Sequence, residues 1–340
     1  MMASPADRPT PAAHHPAAGR GLPPLLLEPL YRRYLWGGRR FATAFGRDLP
    51  AGDDFAESWE LVDRGQDQSR VAAGPLAGTL LGELVRTRSR ELFGRSVAGG
   101  KFPLLFKFLD AHRVLSVQVH PDDARAARLD PPDRGKTEAW YVVAAEPGSL
   151  IYAGLREGVD QAALAAAIRA GTSAEVLHAF EPAAGDCIFI PAGTVHAIGA
   201  GLLVAEIQQS SDVTYRLFDW NRTGPDGRPR PLHIEAGVEA VSRLGPVGPV
   251  RGEPTAEAVV RRLVDCEFFI LDEVQPGVAW QADAAGRCQF LAVLTGGIHL
   301  PARWSLPGLG PGGCLLLPAS AGPQELTADP ATRLLRVILP

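Results

Sequence analysis

The chain has 340 residues, of which 46% are hydrophobic, and a formal net charge of −4 at neutral pH. That supports a large β-rich core or two modest ones, and it gives no electrostatic reason to expect nucleic acid as a partner. No stretch approaches the ~18 consecutive apolar residues of a membrane span, and 37 glycines with 30 prolines favour many short strands over long helices.

Residues 1–21 are rich in Pro and Ala and lack the apolar centre of a signal peptide, so they read as a disordered tail; His14 and His15 stand in it. LLLEPLYRRYLWGGRRFATAFG (25–46) is a mixed opening with Trp36-Gly37-Gly38 at a turn. FAESWELVDRG (55–65) reads as a strand with Glu57, Trp59 and Leu61 on one face. The spacing of Leu80, Leu81, Leu84 and Val85 predicts a helix from about Thr79, stopped at Gly94.

From Phe102 the pattern turns to β: FPLLFKFLDA, RVLSVQVH, KTEAWYVVAAEPG and SLIYAGL. Two short helices follow. One covers DQAALAAAIRA with Asp160 as cap and Gly171 as stop, and the next starts at Thr172 with a capping box to Glu175. Strands resume with GDCIFIPAGTVHAIG and GLLVAEIQQSSDVTYRLFDW. A polar, Pro-rich stretch (221–231) opens a boundary region ending near Pro254, and CEFFILDEVQ, CQFLAVLTGGIHL and CLLLPAS are again short strands. Gly185-x5-Pro191-Ala192-Gly193 resembles Gly312-x5-Pro318-Ala319-Ser320, with His196 in the first copy matched by Pro323 in the second. This suggests two related β units, of which the first keeps the chemistry. Cys187, Cys266, Cys288 and Cys314 form no CxxC pair and read as buried free thiols in a reducing cytoplasm.

Alternation in LSVQVHPDD puts Ser116, Gln118 and His120 on one face of one strand, an unusual set for a face turned to water. If that face is internal, Gln118 and His120 approach one point, where Glu138 at the start of a strand and His196 beyond a Pro-Ala-Gly turn can join them. Their separations are far longer than those of a local metal finger, so separate strands must bring them together. Imidazoles with oxygen donors suit Zn²⁺ in a catalytic site. Gln118 is either a ligand or the neighbour that orients His120. Lys107 in an apolar run, Lys136 two residues before Glu138 and Arg216 in an aromatic strand are cations that suggest an anionic substrate such as a phosphorylated sugar.

KFLDAHRVLSVQVHPDD, GKTEAWYVV, PAGTVHAIG and AEIQQSSDVTYRLFDWNR, with WGG at 36–38 and ESWE at 57–60, resemble the type I mannose-6-phosphate isomerases, in the family's order. The resemblance covers about 25–335 and is closest to the short bacterial members. It implies a mainly β chain of two cupin (jelly-roll type) β-barrels with a small helical insertion. The expected division is a tail to 21, a catalytic unit over 22–254 with the insertion at about 157–180, and a second unit over 255–340 without metal ligands. It also implies one Zn²⁺ per chain on Gln118, His120, Glu138 and His196, and active-site cations at Lys136 and Arg216 with Lys107 and Ser116 nearby.

The implied reaction interconverts mannose 6-phosphate and fructose 6-phosphate through a cis-enediol(ate). Lys136 and Glu206 are the candidate proton carriers, Arg216 the binder of enediolate or phosphate, and Ser116 a donor to phosphate. The expected partner is a small phosphosugar, with no nucleic acid and no membrane, and the chain is expected to be a monomer or weak homo-oligomer. Another metal-dependent cupin enzyme (a dioxygenase or sugar epimerase) and a non-catalytic sugar-binding cupin remain the alternatives.

Overall fold

The computed structural model describes residues 21–95, 100–224 and 227–340. The reading of a tail, with His14 and His15, lies outside the described residues except for Gly21. The first strands are β1 (Leu30–Gly38), β2 (Phe55–Leu61), a two-residue hairpin of β3 (Asp63–Arg64) and β4 (Asp67–Gln68), β5 (Leu104–Ala111), β6 (Val117–Val119) and β7 (Glu138–Ala145). After them come β8 (Ile151–Leu155), β9 (Leu177–Phe180), β10 (Cys187–Ile190), β11 (His196–Ile198), β12 (Leu202–Gln209) and β13 (Tyr215–Phe218). They build an antiparallel six-stranded sheet in the order β1-β2-β5-β12-β7-β10 and a five-stranded sheet in the order β13-β6-β11-β8-β9.

The remaining strands are β14 (Glu253–Pro254), β15 (Val260–Asp265), β16 (Ile270–Val274), β17 (Ala279–Ala282), β18 (Gln289–Thr295), β19 (Ile298–His299), β20 (Cys314–Leu317), β21 (Gln324–Ala328) and β22 (Arg333–Ile338). They repeat the plan, with six strands in the order β14-β15-β16-β22-β18-β20 and three in the order β17-β21-β19. The chain is mainly β, as expected. Among the described residues the strands form open sheets, and no sheet closes on itself into a barrel. The two copies of the Gly-x5-Pro pattern hold β10 and β20, and each is the edge strand of its six-stranded sheet.

Alternation along the strands explains the layering. On β5, Phe106 and Phe108 face one way and Lys107 the other. The two phenylalanines join Ala205, Ile207, Ala139 and Tyr141 in one core with Leu271, Phe290, Leu335 and Val337 of the second six-stranded sheet. The two large sheets therefore stand back to back on shared apolar packing, each buried Phe contributing roughly 1.5–3 kcal/mol. Their opposite faces look away from each other, and on the first sheet that face carries the charged residues.

Several local readings change. A register shift between Trp59 and Leu61 sends Leu61 into the shared core, while Glu57 and Trp59 keep the other face. The single helix expected from Thr79 is two short ones, α1 (Leu81–Thr87) and α2 (Ser89–Phe93), broken at Arg88 and ended by left-handed Gly94. Thr172 makes no side-chain cap, and the following segment is one 3₁₀ turn (Ser173–Glu175) that leads straight into β9. By contrast α3 (Gln161–Ala170) starts and stops where its caps predict: Asp160 accepts from Ala163 N at 2.8 Å and Gly171 is left-handed. A helix over Ile234–Ala240 lies in the region read only as a boundary. Its half-buried Ile234 and Val238 pack under the five-stranded sheet. Of the four cysteines, Cys266 is half-buried rather than buried. No helix among the described residues is long and apolar enough to cross a membrane.

Candidate active site

The site lies between the first six-stranded sheet and the five-stranded one. Register sets its two rows. On the large sheet Trp59, Lys107, Glu206 and Trp140 are mutual partners across β2, β5, β12 and β7, so all four share one face, and Gln208 stands opposite Glu138 on that face too. On the small sheet Gln118 is the partner of both His196 and Arg216, so these three share a face. Val117, Val119, Ala197 and Leu217 point the other way into their own apolar cluster.

Three side chains meet at the closed end. The ligand atoms of His120, Glu138 and His196 all lie within 4.8 Å of one another, and all three residues are buried. His120 Nδ1 donates to Val213 O (2.8 Å) and His196 Nδ1 to Thr194 O (2.9 Å), which turns both Nε2 lone pairs toward the cluster. Glu138 Oε1 is 3.4 Å from His196 Nε2 and Oε2 is 3.6 Å from His120 Nε2. Lys136 Nζ forms an ion pair with Glu138 Oε2 at 2.6 Å and stands 3.0 Å from His120 Nε2. His196 Nε2 and both Glu138 oxygens are buried without a hydrogen bond. Each such group costs about 1–3 kcal/mol unless something satisfies it. Two imidazole nitrogens and a carboxylate left open in this way fit a divalent metal.

The loops on either side hold these groups in place. Pro121-Asp122-Asp123 closes the strand that ends in His120: Asp122 accepts from Arg125 N (2.8 Å), and Asp123 from Gly135 N (2.7 Å), next to Lys136. Gly193, at φ +83° with Ser242 Oγ 2.0 Å from where a Cβ would sit, makes the turn that delivers His196. Its N–H donates to His120 O (2.8 Å).

From the cluster an alternating row of charges runs along the large sheet. Glu206 Oε1 is 3.6 Å from Lys136 Nζ and 3.3 Å from Lys107 Nζ, and Lys107 is 3.4 Å from Glu57 Oε2. Burial works against the Lys107 ammonium, yet Glu206, Glu57 and Glu138 raise its pKa above the ordinary lysine value. Burial would raise Glu206, but Lys107 and Lys136 outweigh it and hold this carboxyl below the ordinary range. Glu138 is raised by burial and by Glu206 against the pull of Lys136. Burial, with Lys136 beside it, pulls His196 down to about 3, and burial, Lys136 and His196 hold His120 well below its usual value. Both rings are neutral, the form that ligates a metal.

The row borders a cavity of about 310 Å³. Ser116, Gln118, Lys107, Lys136, Glu206 and Arg216 all line it. Arg216 Nη1 donates to Pro231 O (3.0 Å) while its Nε is buried without a partner. Burial and neighbouring Arg230 lower its pKa. Every sequence-named site residue therefore falls on the buried cluster or on this cavity wall. Residues not singled out as site groups also line it: Tyr34, Trp36, Glu57, Trp59, Asp212 and Arg230. The alternation in ESW, which pairs Glu57 with Trp59, was the signal for two of them. Glu57 accepts from Trp59 Nε1 at 2.6 Å.

Such a centre can hold one divalent cation on protein atoms beside cations aimed at an anion, which is the equipment of a β-sheet enzyme acting on a charged small molecule. Comparison with known proteins narrows the class. Residues 25–142 match the model of the phosphomannose isomerase type I catalytic domain. The mannose-6-phosphate isomerase of Streptococcus mutans is 41% identical over 219 residues, 64% of this chain and 68% of that one. Mannose-6-phosphate isomerase ManA of Bacillus subtilis is 36% identical over 248 residues, 72% and 77% of the two chains. The crystal structure of the mannose 6-phosphate isomerase from Bacillus subtilis superposes with a TM-score of 0.83 at 29% identity, over 92% of this chain and 99% of that one. The chain belongs to the type I phosphomannose isomerase family.

Proposed function

We propose that the chain interconverts mannose 6-phosphate and fructose 6-phosphate with one zinc ion, through a cis-enediol(ate). The observation that carries this reading is the buried His120–Glu138–His196 cluster, with its unsatisfied ligand atoms, joined through Lys136 to a cavity lined by Lys107, Lys136 and Arg216. His120, Glu138 and His196 would hold the ion. Gln118, on the same face and across from His196, would be its fourth protein neighbour. When bound, zinc supplies Lewis-acid stabilisation of negative charge on a sugar oxygen.

The chain's own groups do the rest. A proton must leave C2 of the aldose and return to C1. Glu206, held ionised between Lys107 and Lys136, is placed to carry it, and Lys136 can neutralise the oxyanion or carry the proton itself. Arg216 offers a planar fork to enediolate or phosphate, and Ser116 a hydroxyl to phosphate. The two sheet pairs support the reading of two cupin-type units, the catalytic one over 22–254 with a helical insertion at about 157–180 and a second over 255–340. A soluble cytoplasmic enzyme, monomeric or weakly associating, suits a substrate of this kind.

A coupled assay from mannose 6-phosphate to fructose 6-phosphate, with chelator and then added zinc, tests the proposal. Turnover should vanish on chelation and return with zinc. Metal-free activity would remove the zinc, and no turnover at all would remove the substrate.

A further inference from the structure

The wall of the cavity made by β1 carries no charge in the row, yet it is built from two aromatic rings. Tyr34 and Trp36 are two residues apart on one strand, so both project to the same side, and both line the cavity. Their rings stack at 5.7 Å with an interplanar angle of 22°. Trp36 is buried in the apolar cluster behind, whereas Tyr34 is 41% exposed. One face of Tyr34 therefore rests on Trp36, and its remaining surface is open.

Trp59, the neighbouring aromatic on the same wall, is finished differently. Arg32 lies over its ring at 4.5 Å and Glu57 takes its N–H. Tyr34 has no cation over it among the described residues, and its hydroxyl is pushed up first by burial, with Glu57, Lys107 and Asp212 as smaller influences. The ring thus stands at the border between the charged row and the apolar wall.

Mannose 6-phosphate in water is mainly a closed pyranose, whose axial C–H bonds make an apolar patch on one ring face. The charged row and Arg216 suit the hydroxyls and the phosphate; they offer nothing to that patch. We propose that the Tyr34–Trp36 pair is a stacking platform for the C–H face of the closed sugar ring, so that the site grips the cyclic substrate and not only the open chain that reacts. The inference rests on the sugar-phosphate reading above. It makes Tyr34 a residue for substrate affinity and ring recognition, outside proton transfer.

The test uses the full-length zinc-loaded enzyme and two unreactive probes. One is 1,5-anhydromannitol 6-phosphate, with its ring locked closed. The other is mannitol 6-phosphate, which has no ring. Inhibition in the coupled assay is paired with direct calorimetric binding, which needs no turnover. Tyr34→Ala should weaken the ring-locked probe about tenfold and the acyclic one less than about twofold, and raise KM with kcat nearly unchanged. Tyr34→Phe should leave both probes as they are, since the stacking face is kept. Tyr34→Leu, which retains bulk over Trp36 and guards against a folding artefact, should lose the ring-locked probe as Ala does.

Equal weakening of both probes by Tyr34→Ala would overturn the platform. So would no weakening, or a Phe variant that behaves like Ala and so assigns the effect to the hydroxyl. A parent enzyme that binds neither probe and fails to convert mannose 6-phosphate would remove the sugar-phosphate reading itself. A parent that binds both, with an unaltered Ala variant, removes the platform alone.

Discussion

The two six-stranded sheets share one plan and end in opposite chemistry. Ile190 and Leu317 each precede the proline that ends an edge strand; Ile190 stands opposite Glu138 and Leu317 opposite Gln289. Counting across the ladders from these pairs sets Gln289 at the place of Glu138, Arg336 at that of Glu206 and Asp272 at that of Lys107. The central pair has thus exchanged its signs. In the second sheet the exchange is fully answered: Arg336 Nε and Nη2 both donate to Asp272 Oδ2, at 3.0 and 2.9 Å, Arg262 Nε donates to Asp272 Oδ1, and Arg336 and Asp272 are nearly fully buried. In the first sheet the row ends in a carboxylate and an imidazole whose buried atoms have no hydrogen bonds. One frame closes its charges on themselves. The other leaves carboxylate oxygens and an imidazole nitrogen unsatisfied, where the second sheet leaves only the neutral Gln289 Oε1 of the matching positions; unsatisfied ligand atoms are the usual cost of keeping a site open for something else.

Breaking the first row should cost activity, and breaking the second should cost stability. The largest effect is expected for His196→Ala, with bound zinc lost and turnover reduced by roughly 10⁴-fold or more, read by metal analysis and the coupled assay. A variant that keeps both would end the contrast. Next comes Arg336→Met, which takes both donors from Asp272 Oδ2 and leaves Asp272 with Arg262 on Oδ1 alone. It should lower unfolding free energy by about 1.5–3 kcal/mol in denaturant titration while kcat per folded molecule stays near the parent's. Adding Asp272→Leu should restore most of that loss, since two apolar groups replace a pair.

Arg216→Ala should lower kcat/KM by roughly 10²–10³-fold with zinc retained, and an unchanged kcat/KM would make Arg216 a structural residue. The smallest effect concerns Asp219, a buried partner of Arg230 and Arg222 at the edge of the first site. Burial would raise its carboxyl, but the two guanidinium groups hold it below the ordinary aspartate range. Its contribution is present at neutral pH and is lost as pH falls through its depressed folded-state value. Asp219→Asn should cost about 1 kcal/mol at pH 7 and flatten the acid limb of the stability curve.

The sequence made the candidate ligands legible because each sits in or at the end of a strand whose alternation reveals a face. Gln118 with His120, and Glu206 with Gln208, could be paired by counting in twos. The same counting misplaced Leu61, since a register shift is a property of two strands and leaves no mark on one. The capping box at Thr172 failed for a related reason: the segment is recruited by β9 after one turn, and tertiary pairing overrides a local helix signal. The Ile234–Ala240 helix went unread because its apolar positions are few and gain their meaning from the sheet they cover. Trp36 was read at a turn and in the WGG of the family resemblance, and Tyr34 was not singled out; that they border the charged row is visible only when β1 takes its place at the sheet edge.

The shared core has a consequence for how finely the site can be tuned. Phe106 and Phe108 flank Lys107 on one strand, and Ala205 and Ile207 flank Glu206 on the next. Every ion of the central pair is thus one peptide unit from a residue seated against the second sheet. That sheet works as a backing plate, and its packing sets the tolerance to which the ions in front are held. Slack introduced behind it, for instance by trimming Phe290, would be felt as blurred spacing between Lys107 and Glu206 before any unfolding was measurable.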